Sequence, residues 1–195
     1  MAISMEQVKE LREKTGISVM QCRKALEEAA GDMDKAVILL QKKGAEAAGK
    51  KSDRVLNSAR IASYVHGLGS VGVLVELCSE SDFVSRHDDF QKLAYDIAMH
   101  IAAANPTFIK KDDVSLEERT KVMDAFADEV KDKPEAMREK ILQGKLDSFF
   151  KDKILLEQDY IKDPSMTVTN LIEGAIQKFG EKIEVGNFVR FSTIK

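Results

Sequence analysis

The stretch RIASYVHGLGSVGVLVELCSESDFV, Arg60 to Val84, decides the fold. Its centre, Gly67 to Gly72, matches G-x-G-x-x-G. In a dinucleotide-binding fold those glycines turn a strand into a helix, whose N-terminus holds the pyrophosphate. Here the string runs on through Val71, Val73, Leu74 and Val75. β-Branched residues favour a strand over a helix. The context that a dinucleotide site needs is therefore missing. The better reading is a hairpin, with "RIASYVH" and "VGVLVELC" as its strands and "GLGS" as its glycine-rich loop.

On the N-terminal side, residues 4–44 predict three short helices. "SMEQ" at Ser4–Gln7 and "SVMQ" at Ser18–Gln21 are capping boxes, each placing a hydroxyl over the first free amides of a helix. Gly16 separates the first helix from the second. Gly31 ends the second, Asp32 caps the third, and Gly44 is expected to close it. Val8, Leu11, Val19, Cys22, Leu26, Ala29, Val37 and Leu40 can meet in one small core. Residues 45–57, "AEAAGKKSDRVLN", read as a linker in which Lys50, Lys51 and Arg54 form a solvated hinge, with a phosphate contact as the alternative.

On the C-terminal side, Phe90, Leu93, Ala94, Ile97 and Ile101 recur at helical spacing, and Asn105–Pro106 ends that helix. "SLEE" at Ser115 opens a charged helix to about Val130. Pro134 suits the first turn of another, running to about Lys151. "TVTNLIEGAIQKFG" is a further helix that Gly180 ends. "EKIEVGNFVRF" reads as a final strand with Gly186 as a bulge. The order is helices, hairpin, helices and a last strand. That predicts an α+β fold, a three-helix module followed by antiparallel strands packed with helices, rather than alternating βαβ units. The expected division is residues 1–54 for the module and linker, and 55–195 for the core.

Composition narrows the function. A net charge of −3 argues against a dedicated nucleic-acid binder, which would show a basic face. No apolar run approaches the roughly 20 residues of a membrane span, and the first residues lack an apolar leader core. The cytoplasm is the expected location. Cys22 and Cys78 make neither a disulfide framework nor a metal cluster. His66, His87 and His100 lack metal-ligand spacing and read as surface or half-buried residues. No Ser/His/Asp or Cys/His arrangement and no paired carboxylates stand out. An enzyme acting through its own side chains, or a resident cofactor, has little support.

Phe83 poses a question. It sits on a short acidic connector, between Asp82 and Val84. Packed under the following helix, it would be a core plug, as most isolated aromatics in connectors are. Left exposed beside an acidic group, it would be an anchor for another protein. Local physics favours the plug.

At this point the residues resemble a known family. "LREKTGISVMQCRKALEEAAGDMDKAVILLQKKG", "YVHGLGSVGVLVELCSESDFV", "LLEQDYIKDPSMTV" and "NFVRF" are similar, in order, to motifs of the bacterial elongation factor Ts family. Its members are exchange factors for the translational GTPase elongation factor Tu. The resemblance covers nearly the whole chain. It implies that the helical module is ubiquitin-associated-like and that the factor binds the GDP form of elongation factor Tu. Ser81, Asp82, Phe83 and Val84 would then disturb the partner's magnesium and phosphate site and release GDP. Arg12, Val19 and Met20 would be the module's contacts. Any magnesium and GDP would belong to the partner. The resemblance thus reverses the local preference and makes Phe83 a probe.

Some positions depart from the family pattern. Ser81 stands where Thr is usual, which keeps the hydroxyl. Val19 and Gln21 replace Met and Asp. Leu68 and Ser70 replace Gly and a basic residue, and Asp159–Tyr160 stand where Pro–Phe is usual. Long members carry two related halves of the core, whereas this chain has room for one. A homodimer is therefore expected, with Arg60–His66 and Ile183–Phe191 as strands in need of cover. Two rival functions remain at this stage. One is an oxidoreductase built on "GLGSVG". The other is an adaptor whose residues 1–54 suffice to bind a peptide or ubiquitin-like partner.

Overall fold

The structure, a computed structural model, describes residues 3–131 and 134–193. Three helices open the chain: α1 (Met5–Thr15), α2 (Val19–Glu28) and α3 (Met33–Gly49). The hairpin follows as β1 (Ser58–His66) and β2 (Val71–Ser79), then the single turn α4 (Asp82–Ser85) and the long α5 (Asp88–Ala104). Next come α6 (Leu116–Ala127), α7 (Glu135–Lys151), β3 (Asp159–Tyr160) and β4 (Asp163–Thr167). The described chain finishes with α8 (Val168–Phe179) and β5 (Ile183–Ser192).

The capping residues account for most helix starts. Ser4 and Gln7 form a reciprocal box, as do Ser115 with Glu118 and Thr167 with Asn170. At Ser18 the hydroxyl accepts from the Gln21 amide. The Gln21 side-chain oxygen is turned away from the cap and accepts from Gln177 instead, at 3.5 Å. The second predicted box is thus only half formed. Gly16 ends α1 with φ at 69°, a left-handed conformation that costs glycine little. Val8, Leu11, Cys22, Ala25, Leu26, Ala36 and Leu40 form the small core of this module.

The hairpin is real. Gly67 and Gly69 take positive φ within the turn, and Gly72 already lies in β2. A strand, not a helix, follows the glycines, so the pyrophosphate cradle of a dinucleotide site is not formed there. β2 pairs antiparallel with β1 on one side and with β5 on the other. Val71, Val73, Val75 and Leu77 alternate onto one face and pack on α5 and α8 through Phe90, Ile97, Ile101, Ile172 and Ile176. Gly186 is a bulge, as expected: Glu76 pairs with Asn187 and Leu77 with Val185, leaving Gly186 between them. α6 and α7 sit on a smaller cluster of Val114, Leu146, Phe150 and Ile154.

Several expectations need correction. Val19 is not in the core of the module but 43% exposed at the start of α2. Gly44 does not close α3, which runs five residues further to Gly49. A Cβ at Gly44 would lie 3.2 Å from the Glu173 carbonyl oxygen of α8. Its missing side chain lets two helices approach, and the backbone stays helical. Residues 45–49 are therefore helix rather than linker, and Ala47 and Ala48 pack on the main core. His100 is not a surface or half-buried residue but fully buried, with Nε2 2.9 Å from the Gln158 Oε1. Burial pushes its imidazole below the ordinary range, partly offset by the Gln158 hydrogen bond. Finally, the β3–β4 ribbon is an element that the sequence pattern did not reveal.

Gly44→Leu is expected to force α3 and α8 apart and to cost about 1–3 kcal/mol of stability, as overpacking does. Gly49→Ala meets no atom within 4 Å and is expected to add about 0.4–1 kcal/mol by stiffening the unfolded chain. Urea denaturation of the two variants checks both signs.

Candidate partner-binding site

The site grows out of the end of β2. The last ladder pair of the central sheet joins Ser79 to Ile183. Beyond it the two strands part, and side chains take over from backbone hydrogen bonds. The Ser79 hydroxyl donates to the Ser81 carbonyl at 2.9 Å. Ser81 is the N-cap of α4, and its hydroxyl oxygen accepts from the Val84 amide at 3.4 Å.

α4 is one turn long, so its stability cannot come from helix propensity. It comes from neighbours. The Ser85 amide donates to the Ser81 carbonyl, the Arg86 amide to the Asp82 carbonyl and the His87 amide to the Val84 carbonyl. The Ser85 hydroxyl donates to the Asp82 carbonyl at 3.2 Å and lies 2.8 Å from the Ser58 hydroxyl of β1. Val84 and Ser85 are buried.

A one-turn helix has an inside and an outside. With Val84 and Ser85 inside, Asp82 and Phe83 point out. Phe83 is 78% exposed. The plug is therefore Val84, 3% exposed, and the aromatic beside it is wet. Leaving a phenyl ring in water forgoes about 1.5–3 kcal/mol of burial free energy. The Asp82 carboxylate is also exposed and pairs with Arg86 at 3.1 Å. The turn thus presents a large apolar ring with an acidic group next to it, on a backbone whose Val84, Ser85 and Arg86 amides already have acceptors.

Arg12, Val19 and Met20 flank the turn between α1 and α2. All three are exposed, Met20 to 83%, while Leu11 and Cys22 next to them are buried. The module's candidate contacts therefore lie off its core.

Glu80, Glu181 and Lys182, which sequence reasoning passed over, also belong to the site, and Arg54 joins them. Both the amide and the hydroxyl of Ser81 donate to the Glu181 carboxylate, at 3.0 and 2.6 Å. In return, the Lys182 amide donates to the Glu80 carboxylate, which also takes Arg54 at 3.1 and 3.3 Å. The Lys182 amide and the Arg54 guanidinium pull the Glu80 carboxyl below its usual range. The Lys182 ammonium in turn donates to the Ser52 carbonyl at 2.6 Å. Arg54 is thus paired with Glu80 while its side chain stays about half exposed. No local pattern marks Glu181, because its partner lies 100 residues away.

Among the described residues, no group of three or more His, Cys, Asp or Glu side chains is placed to hold a metal ion. A groove of about 430 Å³ lies between the α1–α2 turn, α5, α8 and the β3–β4 ribbon. Lys178 there pairs with Asp89 at 2.7 Å and Lys162 with Asp96 at 2.6 Å.

Phe83→Ala is expected to change the stability of the free protein by less than about 0.5 kcal/mol, as surface substitutions do. Val84→Ala is expected to cost about 2 kcal/mol, through lost burial and a cavity. Thermal melting of both variants separates a wet ring from a buried plug.

Comparison with known proteins shows the family of the chain. The family model described as elongation factor TS matches residues 8–194. Elongation factor Ts of Thermotoga maritima is 47% identical over 191 residues, covering 98% of this chain and 96% of its own length. That of Herpetosiphon aurantiacus is 44% identical over 193 residues, covering 98% of each chain. That of Koribacter versatilis is 46% identical over 193 residues, covering 98% of this chain and 88% of the relative. With a match along almost its full length, the chain belongs to the elongation factor Ts family.

Proposed function

We propose that this chain is a cytoplasmic guanine nucleotide exchange factor. It binds elongation factor Tu in its GDP-bound and nucleotide-free forms and promotes GDP release. The observation that carries the proposal is Phe83, 78% exposed on a turn that the Ser81 cap and the buried Val84 hold in place. Such a residue has little to do in the free protein and suits an anchor for a partner. Asp82 places a negative charge beside it. Brought near a bound magnesium ion, an anion competes with phosphate oxygens and water for the metal. Ser81 and Val84 hold the turn, and Asp82 and Phe83 enter the partner. No covalent step is required. A partner that distorts the metal and phosphate site weakens nucleotide binding, and nucleotide must weaken that partner by the same factor.

The ubiquitin-associated-like module, within residues 1–54, is the second contact. Arg12, Val19 and Met20 would grip a different part of elongation factor Tu, while the core, residues 55–195, carries the exchange turn. Ala47 and Ala48 of α3 pack on the core. Removing the whole module would therefore disturb both parts, and substitution of Met20 tests its role more cleanly.

The core also supplies a surface for a homodimer. The register places Ile61, Val65, Leu74, Val189 and Phe191 on the sheet face opposite α5 and α8. All five are exposed, Phe191 to 70% and Val65 to 65%. A sheet with two apolar faces needs a second cover, and two such faces can stack as a sandwich about a two-fold axis. β1 and β5 are also open edges.

Release of a fluorescent GDP analogue from elongation factor Tu tests the exchange reading. Phe83→Ala is expected to slow release by about thirtyfold, the equivalent of a 2 kcal/mol anchor, and Asp82→Ala to slow it less. Met20→Asp is expected to raise the concentration of factor needed while leaving the saturating rate nearly unchanged. Normal release by a folded Phe83→Ala protein would reject the role of the turn. Light scattering at micromolar concentration is expected to give dimer mass for the native chain and monomer mass for Phe191→Glu. A native monomer would reject the dimer.

A further inference from the structure

Resting on the exchange role proposed for the α4 turn, we propose that Glu181 is a positioning residue for nucleotide release. Its carboxylate fixes the turn that presents Asp82 and Phe83.

The geometry is specific. One Glu181 oxygen accepts the Ser81 amide at 3.0 Å and the other accepts the Ser81 hydroxyl at 2.6 Å. Hydrogen bonds to an ionised acceptor are shorter and stronger than neutral ones. The hydroxyl has a single proton. Once that proton is given to Glu181, the oxygen is left to act as acceptor, and the Val84 amide occupies it. The bonds run in one direction, from the Val84 amide to the Ser81 hydroxyl to the Glu181 carboxylate. Each polarises the next. Glu181 therefore sets the capping role of Ser81, and the cap sets where α4 begins.

The placement of Glu181 is itself enforced. Gly180 ends α8 with φ at 73°, turning the chain sharply just before it. Two residues later, Ile183 enters the ladder opposite Ser79. Between those fixed points the two segments grip each other reciprocally. Glu181 holds the amide of residue 81, and Glu80 holds the amide of residue 182. Arg54 on Glu80 ties the segment after α3 to the same point. The clamp continues the β2–β5 ladder with side chains, where backbone pairing has stopped. It ends one residue before Asp82.

Without the carboxylate, the part-buried Ser81 amide loses its acceptor and the hydroxyl is free to rotate. α4 can then fray while Val84 still anchors the chain. The Phe83 ring would remain on the surface but point in several directions, which weakens an anchor that must enter one site.

The test is a double-mutant cycle on GDP release. Glu181→Ala is expected to lower the saturating release rate by about fivefold, within the coupling range of contacting residues. It should shift the half-saturating concentration much less. In a Phe83→Ala background the same change is expected to cost less than about twofold, since the ring it positions is gone. Glu181→Gln keeps one acceptor oxygen and is expected to fall between. It is read in the same way if Glu181→Ala does not fold. Equal slowing in both backgrounds would mean that Glu181 acts only on general stability and would overturn the proposal. So would normal release by a folded Glu181→Ala protein beside a slow Phe83→Ala protein. Normal release by Phe83→Ala itself would overturn the exchange role and this inference together.

Discussion

The pairing of β2 with β5 is the contact on which the rest of the structure depends. β2 is the central strand, and its alternate residues supply the sheet's side of the main core. A hairpin of β1 and β2 alone would be marginal in water, and the third strand makes the sheet self-sufficient. β5 comes from the far end of the sequence, so its pairing closes the fold around α5 and α8. The register allows little freedom, because a slip of one residue would turn every side chain to the wrong face. Gly186 resolves a conflict within β5. Ile183 and Val185 face the core at odd positions, whereas Phe188 and Arg190 do so at even ones. The bulge at Gly186 absorbs the change of parity. A Cβ there would lie 2.6 Å from the Glu76 carboxylate and 2.8 Å from the Cys78 sulfur.

That pairing also builds the candidate site. Where the ladder stops, at Ser79 and Ile183, the residues just beyond are brought side by side. Glu80, Ser81, Glu181 and Lys182 then satisfy one another's amides and carboxylates. The consequence is a one-turn helix that is hydrogen-bonded to its neighbours although it is short and lies at the surface. On the proposed account, function follows from a turn held in place before its partner arrives. The free energy forgone by leaving Phe83 wet becomes available when a partner buries it. Because the turn is already ordered, little of that gain is lost to ordering the chain on binding.

Much of this was legible in the sequence, and most of the exceptions share a cause. The hairpin could be told from a dinucleotide loop because β-branched residues follow the glycines. Ser4, Asp32 and Ser115 marked helix starts, since caps act within three residues. Gly44 misled, because a glycine that ends a helix and one that lets two helices touch are alike in one dimension. Only Glu173, on a distant helix, tells them apart. The β3–β4 ribbon was hidden by its brevity and by Pro164 within it. His100 lies three residues after Ile97, on the apolar stripe of α5, a local sign that was overlooked, while its partners Gln158 and Tyr160 come from a distant segment. At the site, local physics would have buried Phe83, and the family resemblance pointed the other way. That Val84 takes the inner position is a matter of which side of one turn faces the core. Glu181 could not be read at all, because its role exists only once β5 is in place.

Amide hydrogen exchange of the free protein, without any partner, tests the central claim most directly. The claim is that the Ser81–Ser85 turn is ordered in advance. The amides of Ser81, Val84 and Ser85 all have acceptors in the structure. They are expected to exchange slowly, at rates close to those of β2, even though Phe83 between them is solvated. Exchange at the rate of an open loop would mean that the turn forms only on contact with its partner, and would contradict the account.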